Sequence, residues 1–256
     1  MIHSTALIGS EVSLAKNVEI GPFCVLEGSI SLGEGVILKP NVHIFGEVSI
    51  GKHTKVFSNS VIGEIPQDLS YDETLSSGVS IGERNTIREN VTIHRGSKEG
   101  GMTKVGNDNF LMAGSHLGHD SQVGNNSILA NNTLLGGFVT VGDRVFLGGG
   151  TVVHQFVKVG SFAMTQGNSG LSKDLPPYSI SHGINLLAGL NVVGLRRGGF
   201  DSDQRKEIKK LFTLLLNSGK NISSALEEAC EGEWSDEAML LLEAVKTPSQ
   251  KGVMTR

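Results

Sequence analysis

The sequence predicts a parallel β-solenoid followed by a small α-helical domain, and three observations support this fold class. Branched aliphatic residues recur at every sixth position over about two thirds of the 256-residue chain. Glycine is unusually frequent, at 34 residues, whereas only two tyrosines and one tryptophan occur, a bias that indicates a repetitive architecture. After residue 198 the six-residue period gives way to the spacing of amphipathic helices.

The first block of repeats is strict enough to predict the solenoid alone. Every sixth residue from Ile8 to Ile62 is a branched aliphatic, and a glycine or another small or polar residue often follows it. A helix repeats every 3.6 residues and a simple strand every two, so a period of six indicates short strands joined by corners around a prism. Three such hexads form a coil of about 18 residues, and successive coils stack about 4.8 Å apart.

Two interruptions of the period predict loops. The phase is lost after Ile62, resumes at Ile81, is lost again after Ile93 and then runs from Val105 to Val159. A solenoid accommodates insertions only as loops that project from a face. We therefore expect loops at about 63–78 and 96–104 that mark function, with plain solvated turns as the alternative.

The last part of the chain is predicted to be helical. A segment with apolar residues at helical spacing runs from Phe200 to Gly219, a second helix follows Asn221 and a third begins near Ser235. The sequence thus predicts a β-solenoid domain over residues 1–199 and an α-helical domain over residues 200–256.

Charge and composition exclude several classes of function. The formal net charge of -4 gives no chain-wide basic surface for nucleic acid, and no apolar run of about 18 residues predicts stable membrane insertion. Cys24 and Cys230 lie far apart and fit no metal-ligand spacing, so we expect two reduced thiols. The chain enters patterned sequence directly after Met1 without an export signal, which favours a cytoplasmic protein.

Polar residues also fall into register on the predicted coils. His119, Gly137 and Gln155 are spaced 18 residues apart, so we expect them on three neighbouring rungs. A thioester could sit against this set, which supplies a base, a backbone N–H without a side chain and an amide donor. Because successive strand residues point to opposite faces, Asp120 can orient the imidazole of His119 only if the pair lies at a corner. A surface histidine without a role is the alternative.

Seven segments in a fixed order give the chain a specific resemblance. They are Ile65–Leu69, Ile87–Glu89, Thr92–Gly96, His116–Asp120, Val153–Phe156, Asp174–Tyr178, and Gly194–Arg197 with Gly199-Phe200. On these segments the chain resembles, over nearly its whole length, the acyl-carrier-protein-dependent UDP-N-acetylglucosamine acyltransferases of lipid A synthesis. The resemblance implies a left-handed β-helix of hexapeptide repeats, opposite to the usual crossover hand, and a homotrimer. It also implies two substrates, a 3-hydroxyacyl chain on acyl carrier protein and a UDP-sugar.

The same resemblance implies a role for each candidate site residue. It makes His119 the general base, Asp120 its support and the Gly137 amide the oxyanion donor. Implied substrate-binding residues are His116, His154 and Gln155 at the sugar and phosphates, Gln67 and Asp68 from a neighbouring subunit, and Asn191 and Arg197 at the nucleotide. Gly167 is the implied gauge of acyl length, open to a longer chain, although Met164, Gln166 and Asn168 could shorten the groove. No metal or cofactor is implied.

Four positions depart from the pattern of the family. Phe138 stands where several members have a histidine, and a phenyl ring cannot make that histidine's hydrogen bonds. Ser70, Val193 and Gly198 replace a basic residue, a glutamate and an arginine of other members. Because of these departures, the sequence does not decide whether the acceptor is the 3-hydroxyl sugar or its 3-amino analogue.

Three further alternatives remain at the level of the sequence. The related N-acyltransferase of the next acylation carries an additional N-terminal domain, whereas this solenoid begins by residue 8. A γ-type carbonic anhydrase uses the same solenoid, and His116, His119 and His154 could be offered as its zinc ligands. A non-catalytic scaffold would explain the repeats but not the register of His119, Gly137 and Gln155.

Overall fold

The fold is a three-sided parallel β-helix capped by helices. The structure is a computed structural model that describes residues 1–255. Within these residues the chain forms 27 strands and four helices. The strands fall into three sheets, here called sheets I, II and III in the order in which the chain first enters them.

Each sheet collects every third strand of the solenoid. Sheet I contains Leu7–Ile8 (β1), Val25–Glu27 (β4), His43–Phe45 (β7), Val61–Glu64 (β10), Thr92–His94 (β13), His116–Leu117 (β16), Leu134–Leu135 (β19), Val152–Val153 (β22) and Gly170–Leu171 (β25). Sheet II contains Val12–Leu14 (β2), Ile30–Leu32 (β5), Glu47–Ile50 (β8), Gly78–Ile81 (β11), Met102–Val105 (β14), Gln122–Val123 (β17), Thr140–Val141 (β20) and Lys158–Val159 (β23). Sheet III contains Glu19–Ile20 (β3), Ile37–Leu38 (β6), Lys55–Val56 (β9), Thr86–Ile87 (β12), Phe110–Leu111 (β15), Ile128–Leu129 (β18), Phe146–Leu147 (β21), Met164–Thr165 (β24), Ser179–His182 (β26) and Leu186–Leu190 (β27).

The periodic aliphatic residues form the core of the prism. In sheet I, Leu117 pairs in parallel with Leu135, which pairs with Val153, and all three side chains are buried. Each such burial contributes roughly 1.5–3 kcal/mol, so the columns supply most of the stabilisation of the solenoid. Because every coil stacks only on its neighbours, the register of 18 residues passes from coil to coil.

At the corners between sheets, a residue with left-handed backbone turns the chain. Asparagine commonly takes this conformation, as at Asn90, Asn126 and Asn132, where φ lies between 57° and 58°. Two bulky residues take it on the edge between sheets I and II, Phe138 at φ 59° and Phe156 at φ 68°. This backbone is uncommon for a bulky side chain, and Phe23, Phe162 and Tyr178 also adopt it elsewhere on the solenoid, at φ 58°, 60° and 65°.

The solenoid ends in an antiparallel hairpin rather than another coil. β26 pairs in parallel with β24, and β27 then returns antiparallel to β26. Helix α1 follows at Val192–Arg197, inside the range that the sequence assigns to the solenoid. The difference arises because Asn191 caps this helix, its side chain accepting the N–H of Gly194 at 2.9 Å.

Three further helices form the C-terminal cap. They are Ser202–Leu216 (α2), Ile222–Cys230 (α3) and Asp236–Lys246 (α4). Asp201, Asn221 and Ser235 cap their N-termini, and the apolar face of α2 is buried. The chain then returns to the solenoid, where Val253 bridges to Asp174 and Met254 is buried. No helix within residues 1–255 has the length and apolar character needed to cross a bilayer.

Both interruptions of the period are loops on the solenoid. The first runs from residue 65 to 77, between β10 and β11, and the second from residue 95 to 101, between β13 and β14. The second ends earlier than the expected residue 104 because Met102–Val105 is already strand. Both loops connect sheet I to sheet II, so they leave the solenoid at the same edge where His119 lies.

Candidate active site

His119 and Asp120 lie at the corner between sheets I and II, after β16. Asp120 has a left-handed φ of 59°, and this turn brings its Oδ2 to 3.0 Å from Nδ1 of His119. A carboxylate can only accept a hydrogen bond, so Nδ1 of His119 is the donor and Nε2 carries the lone pair. The corner therefore meets the geometric condition for a carboxylate that orients a basic imidazole.

The second loop holds the carboxylate in place. Oδ2 of Asp120 also accepts the backbone N–H of Ser97 at 2.9 Å and the Ser97 hydroxyl at 2.7 Å. The side chains of His119 and Asp120 are 17% and 11% exposed, so the pair is largely shielded from water. Shielding strengthens the charge-assisted hydrogen bond between them.

Gly137 lies one rung from His119, against the imidazole ring. A Cβ atom on Gly137 would lie 2.5 Å from Cε1 and 2.6 Å from Nε2 of His119, so only glycine fits beside the ring in this position. The Gly137 carbonyl accepts the N–H of Phe156, whereas the Gly137 N–H meets no acceptor within residues 1–255. The missing side chain thus leaves both an imidazole edge and a backbone donor uncovered.

Two more histidines lie beside this pair in uncharged form. Nδ1 of His116 lies 2.7 Å from the hydroxyl of Thr92, and the rings of His116 and His94 meet edge to face at 5.0 Å. Burial, with the neighbouring His94 and His119, lowers the pKa of His116 to about 4. Burial also lowers the pKa of His94, against the opposing effect of Glu64. Both rings therefore serve as neutral hydrogen-bonding groups near pH 7.

His94 is a groove residue to which sequence reasoning gave no role. The spacing of 18 residues does not hold here, because the second loop inserts six residues and Thr92 pairs with His116, 24 residues on. Adding the loop length to the coil length places Thr92 beside His116, and so places His94, two residues after Thr92, at the same edge.

These residues line one open groove of about 380 Å³ on the edge of the solenoid. Its polar lining is Gln67, His94, His116, His119, His154 and Gln155. Its apolar lining includes Leu134 and Val152, which are 39% and 49% exposed. The groove thus combines a base, neutral hydrogen-bonding groups and an apolar floor.

The first loop reaches this groove within the same chain. Gln67 lines the groove of its own chain, whereas the resemblance implies that it comes from a neighbouring subunit. The N–H and hydroxyl of Ser70 bond to Asp68 and, with a contribution from His119, lower the pKa of the Asp68 carboxyl. The loop folds back because the insertion follows β10, which is two rungs from β16 in sheet I.

Besides Asp68 and Asp120, which lie behind the lining residues Gln67 and His119 in the chain, four predicted residues do not line the groove. Asn191 is buried, and its side chain is engaged in capping α1 and donating to the carbonyl of Phe162 at 2.8 Å. Arg197 is exposed at the end of α1. Gly167 lies at the corner between sheets III and I, where a Cβ would face open space apart from the Gly149 carbonyl at 3.2 Å. Met164 lies on the outer face of sheet III.

An aromatic pair extends the groove edge beyond the base. The ring of Phe138 meets His119 edge to face at 5.3 Å and stacks on Phe156 at 4.9 Å with an interplanar angle of 10°. Nζ of Lys98 lies 5.3 Å from the Phe138 ring centre, and Nζ of Lys251 lies 5.8 Å from that of Phe156. The ring of Phe138 therefore packs against the base.

The described part of the chain holds no group of three or more histidine, cysteine, aspartate or glutamate side chains placed to bind a metal ion. Of the histidines offered as zinc ligands, His119 is held by Asp120 and His116 lies against Thr92.

Two family models match the chain. One, described as UDP N-acetylglucosamine O-acyltransferase domain 2, matches residues 174–254. The other, described as six repeats of the bacterial transferase hexapeptide, matches residues 102–137.

Solved structures match over the full length. A UDP-N-acetylglucosamine acyltransferase from Bacteroides fragilis is 36% identical with a TM-score of 0.94, covering 99% of each chain. The enzyme of the same description from Francisella novicida is 35% identical with a TM-score of 0.94, covering 100% of this chain and 94% of its own. That from Campylobacter jejuni is 34% identical with a TM-score of 0.92, covering all of both chains. The predicted left-handed β-helix with C-terminal helices is thereby confirmed.

Proposed function

The chain belongs to the UDP-N-acetylglucosamine acyltransferase family, and on that premise we propose that it transfers a 3-hydroxyacyl chain from acyl carrier protein to the 3-hydroxyl of UDP-N-acetylglucosamine. This is the first step of lipid A synthesis. The observation that carries the proposal is the His119–Asp120 pair, which lies against Gly137. A Cβ atom placed on Gly137 would lie 2.5 Å from Cε1 of His119. These three residues supply a base, its orienting carboxylate and a free backbone donor.

The reaction follows from the tautomer that Asp120 imposes. Nε2 of His119 takes the proton of the sugar 3-hydroxyl as that oxygen attacks the thioester carbonyl. Asp120 stabilises the imidazolium that forms, and the oxyanion lies against the Gly137 N–H. The C–S bond then breaks, and the thiol of the carrier leaves with the proton from the imidazolium. General-base catalysis of this kind contributes about 10²–10⁴-fold in rate.

Direct attack is favoured over a covalent enzyme intermediate. The second loop supplies the hydroxyl of Ser97 near His119, but this hydroxyl donates to Asp120. Cys24 is buried in the N-terminal coils, where its thiol donates to the carbonyl of Lys39. Neither is placed as a nucleophile activated by the imidazole. The chemistry needs neither a metal nor a cofactor.

A second acceptor, the 3-amino analogue of the sugar, is favoured by Phe138. The phenyl ring packs edge-on against His119 and can form no hydrogen bond to a sugar hydroxyl. An amine is a stronger nucleophile than a hydroxyl and depends less on a base. Amide formation at the 3-position is therefore the alternative to ester formation.

The outer faces of the solenoid support a homotrimer. Sheet III carries an outward ladder of half-buried apolar residues: Phe110, Ile128, Phe146, Met164 and Ile180. Sheet II carries outward Ser, Lys, Gln and Thr side chains, as at Lys104 and Gln122. Packing sheet III of one copy against sheet I of the next buries the apolar faces and leaves the polar face in water. It also allows Arg197 and Gly167 of a second copy to complete the groove.

The location that fits the donor is the cytoplasm, where acyl carrier protein delivers its acyl chain to a UDP-sugar. We accordingly place the acyl carrier protein and the UDP-sugar as the two partners of the groove.

The proposal is tested by mixing the purified protein with a panel of 3-hydroxyacyl carrier proteins and either UDP-N-acetylglucosamine or its 3-amino analogue. Mass spectrometry of the products should show the acyl chain on the 3-position of one acceptor. The preferred acceptor separates the two candidate functions. A folded protein that acylates neither acceptor from any donor would contradict both.

A further inference from the structure

The C-terminal segment after α4 brings a lysine to the groove. Asp174 donates its N–H to the carbonyl of Gly252 and accepts the N–H of Met254, each at 2.9 Å. The side chain of Met254 is fully buried, so the segment is anchored to the solenoid on both sides of Val253. Anchoring of the backbone at residues 252–254 fixes where Lys251 can reach.

The ammonium of Lys251 meets two residues of the groove edge. Nζ lies 3.3 Å from Nδ1 of His154 and 5.8 Å from the ring centre of Phe156. Lysine can only donate, so Nδ1 of His154 is the acceptor and its proton lies on Nε2. The carbonyl of Gln155, also 3.3 Å from Nδ1, cannot be bonded to the same unprotonated nitrogen. In this tautomer His154 offers the N–H of Nε2 beside the ammonium.

The charge of Lys251 is not neutralised by the protein. Among the ion pairs formed within residues 1–255, none involves Lys251, whereas Lys246 on the same cap pairs with Glu243 at 3.7 Å. Lys98 places a second ammonium over Phe138, one rung away on the stacked phenylalanine pair. The edge beyond the base therefore carries two cations and one imidazole N–H, with Asp120 already engaged by His119 and Ser97.

We propose that Lys251, together with the Nε2–H of His154, binds a phosphate group of a substrate in this groove. The inference rests on the proposed function, since both substrates carry phosphate: the pyrophosphate of the UDP-sugar and the phosphodiester of the phosphopantetheine arm. An ammonium with a neighbouring N–H donor matches the oxygens of either group. The helical cap thereby contributes a binding residue to the solenoid site in the same chain.

The test compares Lys251→Met, which keeps the apolar stem over Phe156, with Lys251→Arg, which keeps the charge. Equilibrium binding of UDP-N-acetylglucosamine and of 4′-phosphopantetheine is measured by calorimetry, and KM and kcat are measured by acyl transfer. We expect Lys251→Met to weaken binding of one of the two ligands about tenfold, which corresponds to one lost charge-assisted contact, and to leave kcat nearly unchanged. Lys251→Arg should recover most of the loss.

Removal of the phosphate from the ligand identifies its source. If the donor phosphate is bound, Lys251→Met should not weaken binding of dephosphorylated pantetheine; if the acceptor phosphates are bound, it should not weaken binding of N-acetylglucosamine. Lys246→Met is the matched control on the same cap, and it should change neither affinity.

Unchanged affinity for both phosphorylated ligands in a folded Lys251→Met protein would overturn the inference. The binding measurements do not require turnover, so they decide it even if acyl transfer itself were absent. Absence of transfer with intact binding would contradict the proposed function alone.

Discussion

Gly137 leaves the space that the imidazole of His119 occupies. We predict that Gly137→Ala lowers kcat about 10²-fold or more with a smaller change in KM, because the new Cβ would lie 2.5 Å from Cε1 of His119 and displace the base. Acyl-transfer kinetics measure the effect, and circular dichroism checks the fold.

Gly149→Ala is the matched folding control for this change. Gly149 lies at another corner of the solenoid, and a Cβ atom added to it would meet only the Asn131 carbonyl, at 3.4 Å. Its melting temperature should stay within a few degrees of the wild-type value, as should that of Gly137→Ala. A Gly137→Ala protein that melts normally and keeps its full kcat would contradict the proposed packing of base and glycine.

The buried imidazole of His116 should titrate far below an ordinary histidine. Burial lowers its pKa from 6.5 to about 4, so the ring should stay neutral through the physiological range. The unfolded chain takes up this proton near pH 6.5, so the stability contributed by His116 is fully present above that pH. It is lost as the pH falls from about 6.5 towards 4.

NMR titration of the imidazole signals measures this directly, with His116→Gln assigning the resonance. A midpoint for His116 near 6.5 would show that the ring is hydrated and would remove it from the neutral hydrogen-bonding set.

At the scale of elements, the corner between sheets III and I is expected to set the length of the acyl chain. A side chain at Gly167 would enter open space, restricted only by the Gly149 carbonyl at 3.2 Å. We predict that Gly167→Met shifts the preference to shorter donors. Each methylene that no longer fits forfeits about 0.8 kcal/mol, or about a fourfold fall in kcat/KM.

A series of 3-hydroxyacyl carrier proteins of increasing length measures this profile. Activity on the shortest donor should be retained, which separates a steric gauge from general damage. An unchanged length profile would mean that another wall, for example Met164 on the outer face of sheet III, ends the groove.

The strands and core columns could be predicted from the sequence because a strict period has one structural meaning. The aliphatic phase alone specifies inward and outward positions, as Leu117, Leu135 and Val153 show. The residues of the site were harder to predict from the sequence where the six-residue period is interrupted. His94 was hidden by the six inserted residues, and the fold of the first loop, which places Gln67 in the groove of its own chain, depends on contacts that no period encodes.

The end of the solenoid could not be located from composition for a similar reason. Residues 186–190 are apolar enough to continue a coil, but they pair antiparallel with Ser179–His182. The Asn191 side chain then starts α1 by a local hydrogen bond to Gly194. The return of residues 252–254 to Asp174 is a long-range pairing that a local pattern cannot show.

At the scale of the whole molecule, the two apolar faces predict assembly. If the proposed trimer forms, we expect Phe146→Glu, on the outward ladder of sheet III, to dissociate it and abolish most activity, since burying an unpaired carboxylate costs several kcal/mol. Light scattering after size exclusion measures the mass.

Thr140→Glu is the matched control on the outward face of sheet II. It should leave the mass of the particle unchanged, because that face is expected to remain in water. A monomeric wild-type protein with full activity would contradict the shared site.

The central claim is that His119, oriented by Asp120, is the base for acyl transfer, and its most direct test is kcat of His119→Ala with a 3-hydroxyacyl carrier protein and the preferred UDP-sugar. The 3.0 Å contact and the uncovered Nε2 predict a fall in kcat of about 10²–10⁴-fold in a protein that still folds and still binds the UDP-sugar. A His119→Ala protein that transfers the acyl chain within a few fold of the wild-type rate would contradict the account.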